Sequence, residues 1–191
     1  MNLSRLTRRQ LEALLADVSD PPAAHRCTDA ADGTTMTPPG RREVLRTRLA
    51  AARELLLRDA HEELLGRPLI NSPAAARDYL RIHFAALAHE VFVVVFLDAQ
   101  NRVLACDEMF RGTLTQTSVY PREIVRAALS HDAAACMFAH NHPSGVAEPS
   151  RADELLTRNL KEALALVDVR VLDHLVFGGG QFASFAEAGL I

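Results

Sequence analysis

The chain has 191 residues, 49% hydrophobic and 24% charged, with a net charge of −3. That composition excludes a disordered chain and supplies one medium domain with a core plus an appendage. The near-balanced charge gives no bulk electrostatic argument for nucleic acid. Cys27, Cys106 and Cys136 are spaced for neither a disulfide framework nor a zinc knuckle. Cys106 and Cys136 read as buried thiols, and a reducing, cytoplasmic setting is expected. No apolar run reaches the ~18 residues a membrane span needs, and residues 1–17 lack the apolar stretch of a signal peptide.

In chain order, residues 3–17 read as a short amphipathic helix, with Leu6, Leu11, Leu14 and Leu15 among polar residues. Residues 18–40 hold Pro21, Pro22, Pro38, Pro39, Gly33 and Gly40 and read as a flexible linker. Residues 41–65 read as one helix that stops at Gly66, with Pro68 just beyond. Together 1–66 form a helical N-terminal extension, and a compact domain is expected over 71–191. Ser72 and Pro73 open a helix to about Phe84. Val91 to Leu97 is a continuous β-branched and aromatic run, hence a strand buried on both faces. A turn at 98–101 leads to a second strand, Arg102 to Met109. A helix runs from Pro121 to about His131, a third strand from Ala134 to Ala139, and a helix capped by Ser150 to about Leu166. Two strands, Val169 to Phe177 and Gln181 to Phe185, meet at Gly178-Gly179-Gly180.

This order predicts an α/β three-layer sandwich around a mixed five-stranded sheet. The first two strands form an antiparallel hairpin. Helix 121–131 is long enough for a crossover, which makes the third strand parallel to the second and antiparallel to the first. The start of the first strand then lies at the same end of the sheet as the finish of the third. Glu90 is at that start and His140 at that finish.

The segment from His140 to Asp153 carries the chemistry. His140 and His142 are two residues apart and share one face of an extended segment. After a Pro-Ser-Gly turn, Ser150-Arg-Ala-Asp153 starts a helix with a carboxylate. Three N/O ligands from two elements make an open zinc site. Glu90 is the candidate general acid/base, and Ser150 the hydroxyl that helps polarise a substrate carbonyl. Ser150 and Asp153 also read as a capping box, which is compatible with ligation by Asp153. Asp173 and His174 are adjacent in a strand and point to opposite faces, which weighs against a catalytic dyad. His89 likewise points away from Glu90. Glu148 reads as a solvated loop acid, and His25, His61, His83 and His131 receive no role.

At these residues the chain resembles the JAMM, or MPN-plus, signature: an upstream Glu, His-x-His, seven residues, Ser-x-x-Asp. Its setting resembles the bacterial RadC family more closely, through Phe110-Arg-Gly-Thr113, Tyr120-Pro-Arg-Glu-Ile124, Ala139 to Gly145, Glu148-Pro-Ser150, Arg170-Val-Leu-Asp-His174 and Ser184-Phe-Ala-Glu187. The resemblance runs from about Asn71 to Ile191. It implies a JAB/MPN fold, related to the cytidine-deaminase-like sandwich. It also implies Zn²⁺ on His140, His142 and Asp153, with Glu90 as acid/base and Ser150 as oxyanion helper. Typical members carry a helix-hairpin-helix pair that grips DNA. Between residues 1 and 70 only Gly33, Gly40 and Gly66 occur, none in a Gly-x-Gly turn between helices, so that module is not recognisable. Arg8, Arg9, Arg41, Arg42, Arg46 and Arg48 read as solvated helix faces.

The leading expectation is a zinc hydrolase of peptide or isopeptide bonds acting on an unidentified peptide or protein substrate. The alternative is a non-enzymatic DNA-repair or mobile-element accessory protein that uses the fold as a scaffold. A nucleobase deaminase would need His-x-Glu and Pro-Cys-x-x-Cys, and neither pattern is here.

Overall fold

The computed structural model describes residues 3–16, 40–66, 73–85, 87–112 and 119–191. The expected linker lies almost wholly outside the described residues, as does the expected Ser72 cap. Contacts divide the chain into two compact units, Met1–Asp59 and Ala60–Ile191.

The first unit contains a short 3₁₀ turn (Leu3–Arg5), α1 (Arg8–Ala16) and most of α2 (Arg41–Leu64). Strong helix formers fill α2, and Arg58 pairs with Glu54 one turn back at 2.9 Å. The Arg58 guanidinium also donates to the backbone oxygens of Leu6 (2.8 Å) and Ser4 (3.1 Å), and Arg8 pairs with Asp59. Gly66, at φ +71°, takes the left-handed conformation that ends the helix.

The second unit holds α3 (Pro73–Phe84), β1 (Val91–Leu97), β2 (Val103–Arg111), α4 (Pro121–Ser130), β3 (Ala135–Asn141), α5 (Arg151–Ala165), β4 (Arg170–Gly178) and β5 (Gln181–Ser184). The strands form one mixed sheet in the order β2-β1-β3-β4-β5. Only β3 and β4 are parallel; the other neighbours are antiparallel. The expected layers and strand directions are therefore present. All seven residues of β1 are buried, because a strand flanked by β2 and β3 and covered on both faces has no solvent side. Edge strand β2 has only Val103 buried. Its hairpin turns on Asp98, whose carboxylate accepts from the N–H groups of Gln100 and Arg102, both at 2.8 Å.

One face of the sheet presents Phe92, Val94, Phe96, Cys136 and Phe138 to Ile124 and Ala128 of α4 and Leu160 and Leu164 of α5. Helix α3 covers the other face, where Phe84 meets Phe177 at 5.3 Å between ring centroids. Cys136 is buried within this core and Cys106 half-buried on the edge strand. Burial pushes the Cys136 thiol up to about 12.

Strand β3 continues through Asn141, past its expected end at Ala139, and Phe92 pairs with His140 across β1 and β3. The start of β1 and the finish of β3 thus share one end of the sheet. A side chain not singled out from the sequence clamps them: Asn141 Oδ1 accepts from the Val91 N–H (2.8 Å), and Asn141 Nδ2 donates to the His89 carbonyl (3.0 Å). Asn141 alternates with His140 along β3, so the middle residue of His-x-His joins β3 to the segment around Glu90, just before β1.

Candidate metal centre

His140, at the end of β3, is 1% exposed. His142 lies just past the strand and donates its backbone N–H to the Phe177 carbonyl at 2.7 Å. The Nε2 atoms of the two rings are 2.9 Å apart. Asp153 reaches the same point from the first turn of α5, with Oδ1 3.4 Å from His140 Nε2 and Oδ2 3.5 Å from His142 Nε2. A donor atom from each of the three residues lies within 4.8 Å of the other two.

The loop between β3 and α5 sets these positions. The Val146 carbonyl faces His142 Nδ1 at 2.8 Å. A carbonyl only accepts, so in the neutral ring Nδ1 carries the proton and the Nε2 lone pair is left for a second proton or a metal ion. The loop rests on the β4–β5 turn so closely that only glycine fits: a Cβ on Gly178 would lie 2.5 Å from the Val146 carbonyl carbon. Ser150 caps α5. Its hydroxyl (2.6 Å) and backbone N–H (2.7 Å) both donate to Asp153 Oδ2, and the Asp153 N–H donates back to Oγ at 3.2 Å. The capping box and the candidate ligand are one carboxylate. Oδ2 carries the cap and leaves Oδ1 toward His140.

Electrostatics favour a cation here. Burial works to raise the Asp153 carboxyl, but the neighbouring imidazoles of His140 and His142 and the hydrogen bonds from Ser150 outweigh it and hold the group well below the carboxylate range. The bond to Asp153 raises His142 above its ordinary value against the effect of burial, with help from the Val146 carbonyl and the charges of Asp153 and Glu90. Surroundings that hold a proton on His142 also favour a metal ion in its place. Two imidazole nitrogens and one carboxylate oxygen, converging from two elements, fit the donor set of an open zinc site.

Of the residues named from the sequence, the structure brings His140, His142, Asp153 and Ser150 together. Glu90 is half-buried at the start of β1, near enough for its charge to act on His142. Glu148 is exposed on the loop. Asp173 and His174 point apart as expected. Asp173 accepts from the Ser184 hydroxyl (2.7 Å) and the Ala186 N–H (2.9 Å), tying down the chain after β5. His174, given no metal role from the sequence, is fully buried against the centre, with Nε2 2.8 Å from His140 Nδ1 and Nδ1 2.6 Å from the Thr157 hydroxyl. Burial pushes its imidazole well below the usual range, and the neighbouring His140 adds to this.

A mixed sheet between helical layers, with a His-His-Asp group at one end, defines a JAB-type α/β domain. Residues 70–190 match the family model of the RadC-like JAB domain, and the chain belongs to that family. It is 60% identical over 146 residues to a UPF0758 protein of Leptothrix cholodnii, covering 76% of this chain and 66% of that one. A UPF0758 protein of Nitrosomonas eutropha is 59% identical over 143 residues, covering 75% and 64% respectively. For that of Thiobacillus denitrificans the identity is 58% over 151 residues, covering 79% and 67%. The matched part of the chain thus spans about two-thirds of the length of these relatives. Among the described residues, no helix is long and apolar enough to cross a membrane.

Proposed function

We propose that this chain is a zinc-dependent hydrolase of peptide or isopeptide bonds. The observation that carries the reading is the convergence of His140 Nε2, His142 Nε2 and Asp153 Oδ1 on one point. A zinc ion held by these atoms supplies Lewis acidity toward a carbonyl oxygen and toward water. Glu90 takes the proton from the attacking water and passes it to the leaving amine. Ser150 turns its hydroxyl from Asp153 to the carbonyl oxygen as negative charge develops there. Beside His142 lies a cavity of about 380 Å³, walled by Phe84, Leu87, Phe177 and Gly179 with Arg81 among its lining residues.

Two measurements on the purified full-length protein test this. Elemental analysis should find about one zinc per chain, the stoichiometry of a three-ligand site. A panel of peptides and of ε-linked lysine isopeptides should yield at least one substrate, and Glu90→Gln should cost about 10²–10⁴-fold in rate while zinc is retained. Zinc without hydrolysis of any panel member would favour the scaffold role instead. Absence of zinc would end both the metal and the hydrolase readings.

A further inference from the structure

We propose that His174, held by Thr157, is a positioning residue that keeps the proton of His140 on Nδ1 and so turns the Nε2 lone pair of His140 toward His142 and Asp153. Its purpose rests on the metal reading above; the proton's location does not.

The argument is an inventory of protons. The Thr157 hydroxyl lies 2.6 Å from the Asp153 backbone carbonyl and 2.6 Å from His174 Nδ1. A carbonyl oxygen only accepts, so the single hydroxyl proton goes there. The hydroxyl then has only lone pairs to offer His174, which must donate from Nδ1. A neutral His174 with its proton on Nδ1 has a bare Nε2. That atom is 2.8 Å from His140 Nδ1. The contact needs one proton, and His140 Nδ1 must supply it. His140 Nε2 is therefore the bare nitrogen; it faces His142 Nε2 at 2.9 Å, a contact closed by a second proton on His142 or by a metal ion between the two.

The opposite assignment would require a cationic His174 donating from both nitrogens. Its ring is 0% exposed, and the partners of its two nitrogens are a hydroxyl and an imidazole, neither an anion. A buried charge with no anion on either nitrogen is costly, and burial outweighs the attraction of the Asp153 carboxylate. Aromatic rings hold His174 in place: Phe185 stacks on it at 4.7 Å, and Phe92 and Phe138 meet it edge-on at 5.5 and 5.7 Å. The chain of bonds closes on itself. It runs from His140 to His174, to Thr157, and to the backbone of Asp153, so one relay aligns candidate ligands from β3 and α5.

Long-range nitrogen–proton NMR correlations on the metal-free full-length protein test the assignment directly. Both His140 and His174 should carry their protons on Nδ1; a proton on His140 Nε2 instead would overturn the proposal. Zn²⁺ competition against a chromophoric chelator tests the consequence. His174→Phe keeps the packing but removes the acceptor, and should weaken Zn²⁺ binding about 10–100-fold. His174→Gln can accept from His140 through its amide oxygen and donate to Thr157 through its amide nitrogen, so it should stay within about threefold of wild type. Wild-type affinity in His174→Phe would also sink the idea. If that variant does not fold, the NMR assignment decides. If the wild type takes up no Zn²⁺, the hydrolase reading falls, and the position of the His140 proton still tests the relay.

Discussion

Helix α2 and strand β1 are both rich in aliphatic residues, and they place them differently. In α2, Leu45, Leu49 and Leu56 are 51%, 70% and 57% exposed, whereas no residue of β1 exceeds 1%. The helix closes its hydrogen bonds within one segment and is built from residues that favour it, so it tolerates these exposed leucines while burying few residues fully, Ala51 and Leu64. The strand satisfies its backbone through residues 103–111 and 134–141, and it draws its stability from a core assembled across the chain. The candidate metal centre belongs to the second kind of structure. Its ligands come from the end of β3, the turn after it and the first turn of α5. The difference predicts large consequences for substitutions in the sheet region and small ones on the helix.

The largest effect is expected at the centre itself. His142 is half-buried and outside the strand, so His142→Ala should leave the circular dichroism spectrum unchanged. Zinc content should fall from about one per chain to near zero, since a three-ligand site has no spare donor. Full zinc content in the variant would remove His142 from the ligand set.

Next comes the core beneath the centre. Phe138 is fully buried, and Phe138→Ala should lower the unfolding free energy in denaturant by about 3–5 kcal/mol. A loss below about 1 kcal/mol would mean that the sheet is not held by this packing.

The boundary between the two regions gives a sharper test. A truncated chain beginning at Ala60 should still unfold in one cooperative transition. One beginning at Arg67 also loses buried Leu64, the ring contact of His61 with Tyr79 at 5.5 Å and the Gly66 N–H bond to the Val103 carbonyl at 2.9 Å. It should be less stable by about 2 kcal/mol, roughly the burial of one leucine. Equal melting of the two would show that the last turn of α2 adds nothing to the domain.

The smallest effect is expected on the exposed helix. Leu49→Ala should change stability by no more than about 0.5 kcal/mol. A cost near that of Phe138→Ala would break the comparison, because it would show that α2 depends on burial after all.

Much of this molecule was legible locally. The run from Val91 to Leu97 declared a strand with no solvent face, and Gly66 and Pro73 marked helix boundaries. The hairpin at Asp98 and the crossover through α4 sufficed to make β1 and β3 antiparallel, which put Glu90 and His140 at one end of the sheet. His-x-His and Ser-x-x-Asp named a metal-ligand pattern because two-residue and three-residue spacings define faces of a strand and a helix start. The support behind that pattern was not legible. Alternation states that Asp173 and His174 point apart, but not which of them faces His140. A register shift decides it: Cys136 pairs with Val171 and Met137 with Asp173, so Leu172 is passed over and His174, not Asp173, sits opposite Phe138 on the face of His140. A single extra residue in a strand exchanges its two faces. The alternation of β4 alone does not mark which residue is passed over; the pairing with β3 does. The roles of His174 and Thr157 therefore arise only in the folded chain, where residues 17 apart in sequence meet across a strand and a helix.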